Sequence, residues 1–113
     1  MTTSRKLAGV LMLISAVTHT SELFVFGWGP VIAIVLGFAA AFGCIGVFLL
    51  REGDRVLWWG AILPSIAIVL GIGNSIRSGA IHPYTVWHLI VDFTVVPICA
   101  YHLVRNRTRT PAI

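Results

Sequence analysis

The sequence predicts an all-α integral membrane protein: a four-helix bundle running up, down, up and down, with both termini on the cytoplasmic side. Three observations carry that prediction. First, the 113 residues are 58% apolar and only 11% charged, where soluble domains hold about 45–50% and about 25%. Second, mean hydropathy is +0.94, so a chain of this size cannot cover itself with charge and its outer surface must face lipid. Third, the apolar residues fall in four stretches separated by turns of a few residues, which makes consecutive helices antiparallel neighbours. This composition excludes a disordered chain, a secreted disulfide scaffold and a soluble nucleic-acid binder.

A spanning helix needs about 20 predominantly apolar residues. The first span is expected at about 7–26. The basic start Met1 to Lys6 could pass for a secretory signal, but the run is long enough to span and no small-x-small site follows Val17. It ends at the breaker Gly27-Trp28-Gly29-Pro30, and Pro30 suits the first turn of a second span at about 31–50. The charged turn Arg51-Glu52-Gly53-Asp54-Arg55 precedes a third span at about 56–76. Arg77 to Pro83 then leads to a fourth at about 84–104. The whole chain, 1–113, reads as one transmembrane domain.

Orientation follows from the basic residues. Seven of the eight (Arg5, Lys6, Arg51, Arg55, Arg105, Arg107 and Arg109) fall on one side, and Arg77 alone falls on the other. The positive-inside rule makes the first side cytoplasmic, so the location expected is the cytoplasmic (inner) membrane with N- and C-termini inside. The net charge of +4 is thereby a topology signal, and no nucleic-acid partner is needed to explain it. Trp28, Tyr84 and Trp87 are expected at the outer interface, and Trp58, Trp59 and Tyr101 at the inner one.

Lipid tails are as apolar as leucine, so helices in a bilayer associate through close contact at small residues. Ala33, Gly37 and Ala41 recur at four-residue spacing on the second span, and Ala67, Gly71, Ser75 and Gly79 on the third. These stripes predict a close approach of the two helices, within one chain or across the boundary of a homo-oligomer or larger membrane complex. Pro64 and Pro97 fall inside the third and fourth spans, each removing a backbone hydrogen bond and marking a kink or hinge. Cys44 and Cys99 read as small packing residues.

Ionisable residues inside a membrane cost about 2.5–3.5 kcal/mol each at the helix centre, and this chain keeps several. Ser15, Thr18, His19 and Glu22 share one face of the first helix. Thr85, His88 and Asp92 share one face of the fourth, which Cys99 and His102 continue inward. At 1.5 Å per residue, Glu22 and His19 lie about 6 and about 10 Å below the outer end of their helix. His88 and Asp92 lie about 6 and about 12 Å below the outer end of theirs. Two His–carboxylate pairs from opposite ends of the chain therefore occupy one layer. Asn74 joins them as an orienting neighbour with Ser15, Thr18 and Thr85, while the second span contributes no polar group.

Two imidazoles and two carboxylates facing each other across a bundle match the ligands of a divalent transition metal, so His19, Glu22, His88 and Asp92 are the expected metal set. Other readings stand beside this one. Haem b could be held between His19 and His88, with Arg77 and His82 meeting its propionates. Glu22, His88 and Asp92 could instead serve proton-coupled transport, or acid–base catalysis on a lipophilic substrate entering from the bilayer. A structural alternative pairs His19 with Glu22 and His88 with Asp92 locally, in an accessory subunit whose task is packing. In that case His82 is a solvated loop residue, and Tyr101 and His102 are interfacial anchors. In length, in its four short-looped spans and in the membrane-buried Glu22, the chain resembles the general plan of the small multidrug resistance transporters. It departs from that plan in the outward position of Glu22 and in the His88–Asp92 pair.

Overall fold

The computed structural model describes residues 2–109, the last three by their backbone alone. The side chains of Arg107 and Arg109, counted above with the inner face, thus lie outside the described residues. Four helices account for almost all of the rest: α1 (Thr3–Phe26), α2 (Pro30–Leu49), α3 (Arg55–Ser78) and α4 (Pro83–Arg109). Each terminus has a local cause. The Thr2 side chain accepts the Arg5 backbone N–H at 3.3 Å, so α1 starts earlier than the apolar run alone requires. Gly27 (φ 77°) and Gly79 (φ 72°) end α1 and α3 in backbone regions that side chains disfavour. Pro30 sits in the first turn of α2. At the start of α4 the Tyr84 backbone N–H donates to His82 Nδ1 at 3.2 Å, so this loop histidine acts as a cap.

All four helices are long and apolar enough to cross a membrane. The bundle is 49 Å long and 24 by 22 Å across, against about 40–45 Å for a bilayer with its headgroups. Its polarity is inverted relative to a soluble protein. Phe24 and Ile76 are 85% and 77% exposed, while Ser15, His19, Glu22, His88 and Asp92 are buried. That distribution is the one a membrane-spanning bundle needs.

Packing is uneven around the bundle. α1 lies extensively on α2, and α3 on α4; α1 also packs on α4, and α2 touches α3 least. The dense core of Met12, Phe42, Leu49, Leu57, Val91, Val95 and Cys99 sits toward the end of the bundle that carries both termini. There the small residues bring helices together. A Cβ on Gly46 of α2 would come within 2.8 Å of Leu13 on α1, and one on Gly60 of α3 within 2.5 Å of Cys99 Sγ on α4.

The close approach of α2 and α3 inside one chain is not found. Gly37 has nothing within 4 Å of the Cβ it lacks, and Gly71 faces Leu89 and Thr85 of α4 instead of α2. The small-residue face of α2 looks outward at Gly37, and that of α3 meets α4 at Gly71. Two further expectations are corrected. Trp87 turns inward, its Nε1–H donating to Thr18 Oγ1 at 3.3 Å, because a polar partner on α1 is within reach. Cys44 is exposed, whereas Cys99 is packed as expected. α3 and α4 run on as helices through Pro64 and Pro97.

Candidate metal centre

Away from the core, toward the end opposite the termini, the thin α2–α3 seam opens into a cavity of about 930 Å3 walled by all four helices. The polar faces of α1 and α4 form its floor. Ser15, His19 and Glu22 are one turn apart from each other on α1, so a single helix face presents them all to α4. There they meet His88. His19, Glu22 and His88 each offer one ligand atom, all within 4.8 Å of one another, and the three residues are at most 9% exposed.

The hydrogen bonds orient this group. The Ser15 carbonyl can only accept, so His19 Nδ1–H donates to it at 2.8 Å and Nε2 keeps its lone pair. Ser15 Oγ also lies 3.2 Å from His19 Nδ1 and 3.5 Å from His88 Nδ1, so one hydroxyl serves both rings. The rings stack with centroids 3.5 Å apart and planes inclined by 21°, and the edge of Phe42 closes on His19 at 5.4 Å. Thr18 donates to the Ser15 carbonyl at 2.9 Å and accepts from Trp87, tying this turn of α1 to α4. A metal-bound histidine holds its second ring nitrogen in this way.

Opposite these supports the polar atoms lack partners. Glu22 Oε2 and His88 Nε2 face each other at 3.7 Å, beyond hydrogen-bond distance, and each is buried without a hydrogen bond among the described residues. Two ligands on a tetrahedral ion with bonds of about 2.0–2.2 Å stand about 3.4 Å apart. The observed gap is close to that edge. It is too wide for the two groups to satisfy each other and narrow enough for one ion to satisfy both.

The other expected residues take different places. Asp92 lines the same cavity one turn deeper on α4, outside the three-residue group, and its Oδ1 is also buried without a partner. Glu22 is turned to His88 across the helix interface, so the local His19–Glu22 and His88–Asp92 pairings are not what orders the layer. Asn74 is exposed and its Oδ1 accepts from Arg77 at 2.8 Å, so it holds the cavity's arginine and does not orient the ligands. Thr85 lines the cavity through α4. Stacked imidazoles at 3.5 Å leave no slot for a macrocycle, which removes the basis for haem between His19 and His88. His82 stacks on Tyr84 at the cavity rim. His102 is buried, its Nε2 bonded to Ser4 Oγ at 2.8 Å and Thr2 Oγ1 at 3.2 Å, while Tyr101 is exposed.

Sequence reasoning passed over two contributors. Phe42 and the α2 residues Ile32, Val35 and Phe38 build the apolar wall of the site although α2 carries no polar group. The other is Arg5, which takes no part in this site and instead bonds carbonyls at the far end of the bundle. No family model, curated protein or solved structure matches the chain, so its function is argued from this geometry.

Proposed function

We propose that the protein is a multi-pass protein of the cytoplasmic membrane, termini inside, that binds a divalent transition metal through His19, Glu22 and His88. The observation that supports this reading is the grouping of three buried ligand atoms within 4.8 Å of one another, with Glu22 Oε2 and His88 Nε2 making no hydrogen bond among the described residues. Imidazole and carboxylate donors suit zinc, iron, nickel and copper. Two histidines and one glutamate would leave a tetrahedral ion one open position for water or a small ligand, and all three residues line the cavity. The chain's own part is to fix the tautomer of His19 through Ser15 and to shield the group with Phe42 and the α2 wall. Ala33 and Gly37 lie exposed on α2, and contact with a second copy or a larger membrane complex belongs on that face.

Metal analysis of the purified protein tests the reading. About one zinc or other transition metal per chain is expected, lost in Glu22→Gln and His88→Ala and kept in His102→Ala. Absence of stoichiometric metal in every preparation, or equal metal in His88→Ala, overturns it. Carriage of a lipophilic molecule, or acid–base chemistry upon one, is the second reading, and the cavity open between α2 and α3 is the observation that favours it.

A further inference from the structure

The metal group leaves Asp92 unused. This carboxylate is 1% exposed, one of its oxygens has no hydrogen-bond partner, and it lines a cavity whose other walls are mostly aliphatic and aromatic. A buried acceptor without a donor costs about 1–3 kcal/mol, and no described side chain on the neighbouring helices donates to it here. The cavity volume of about 930 Å3 is that of a small-molecule site, which is typically apolar with a few convergent polar groups. Its side opening is the α2–α3 seam, the least packed boundary in the bundle, where Gly37 and Gly73 have nothing within 4 Å of an added Cβ. In a membrane, the part of that seam at Gly73, away from the α2 face proposed for subunit contact, would open to lipid.

From these features we infer that the cavity binds a lipophilic amine, entering sideways between α2 and α3 and placing its ammonium group on Asp92. The apolar body rests against Val35, Phe38 and Leu70. An amine is favoured over other head groups because it supplies both the missing donor and the charge that complements a carboxylate. The cavity's one cationic side chain, Arg77, is exposed and already engaged by Asn74. The inference concerns a residue outside the metal group, so it stands or falls separately from the metal reading.

Three probes of one shape separate the head groups: 1-aminoadamantane, 1-adamantanol and 1-adamantanecarboxylate, titrated calorimetrically into the purified protein in detergent, with empty micelles as blank. The amine is expected to bind at least tenfold tighter than the carboxylate, with the alcohol between them. Asp92→Asn should abolish that preference while the variant keeps the wild-type helical circular dichroism and unfolding midpoint in detergent, which shows that it is folded. Leu70→Trp, which fills the apolar wall, should weaken all three probes together. Equal binding of amine and carboxylate overturns the inference. So does an amine preference that survives Asp92→Asn but is lost in Glu22→Gln, since the amine would then sit on the metal group.

Discussion

Two buried polar regions, at opposite ends of the same bundle, are built on different principles. Near the termini Arg5 reaches from α1 to the end of α2. Its Nε–H donates to the Leu49 carbonyl at 2.9 Å, and one terminal nitrogen donates to the Arg51 and Gly53 carbonyls at 2.7 Å each. These carbonyls lie at the C-terminal end of α2 and in the turn that follows, where a helix leaves acceptors unmatched and favours a cation. Cation and acceptors complete each other, and His102 with Ser4 and Thr2 does the same nearby. In the other half, Glu22, His88 and Asp92 keep buried atoms with no hydrogen bond among the described residues. A polar group that serves only to join helices is satisfied by them, as Arg5 is. His88 is held at Nδ1 by Ser15 and left bare at Nε2, and the metal proposed above is what would complete it.

Variants at the two regions should therefore fail differently. The largest loss of stability is expected from Arg5→Ala, which strands three carbonyls at once and should cost about 3 kcal/mol or more in detergent unfolding. Per folded molecule, its metal binding should be unchanged. Gly46→Leu should cost about 1–3 kcal/mol by overpacking the α1–α2 contact, whereas Gly37→Leu, in the open seam, should stay within about 0.5 kcal/mol. Equal effects at these two glycines would contradict the uneven packing described above. His102→Ala should cost about 1 kcal/mol and leave the metal site alone. Ser15→Ala sharpens the contrast from the other side. It should change unfolding little yet weaken metal affinity about tenfold, since both rings lose a shared orienting hydroxyl.

Which parts of this were legible in the sequence follows from what each signal measures. The helices were, because Gly27 to Pro30 and Arg51 to Arg55 interrupt apolar runs of spanning length. The shared layer of His19, Glu22 and His88 was also legible, since depth is arithmetic once orientation is assumed, and helical periodicity puts each set on one face. Which faces meet was not. Helices that are apolar all round carry little amphipathic signal, so the stripe containing Gly37 looks the same whether it meets a helix or lipid. The contacts that decide packing, Gly46 on Leu13 and Gly60 on Cys99, join residues with no mutual pattern. Arg5 read as a charge marking topology, and nothing local announces that it reaches carbonyls more than 40 residues away.

In this proposal the group that keeps atoms without hydrogen bonds is a metal site and the satisfied one is structural. Zinc-dependent stabilisation tests it most directly, measured by unfolding of the wild type, His102→Ala and His88→Ala in detergent. At free zinc about 100 times the dissociation constant, binding to the folded state adds about 2.7 kcal/mol. Wild type and His102→Ala should gain that same increment from different baselines, and His88→Ala should gain none. A gain in His88→Ala equal to that of the wild type, or no gain in the wild type, would contradict the account.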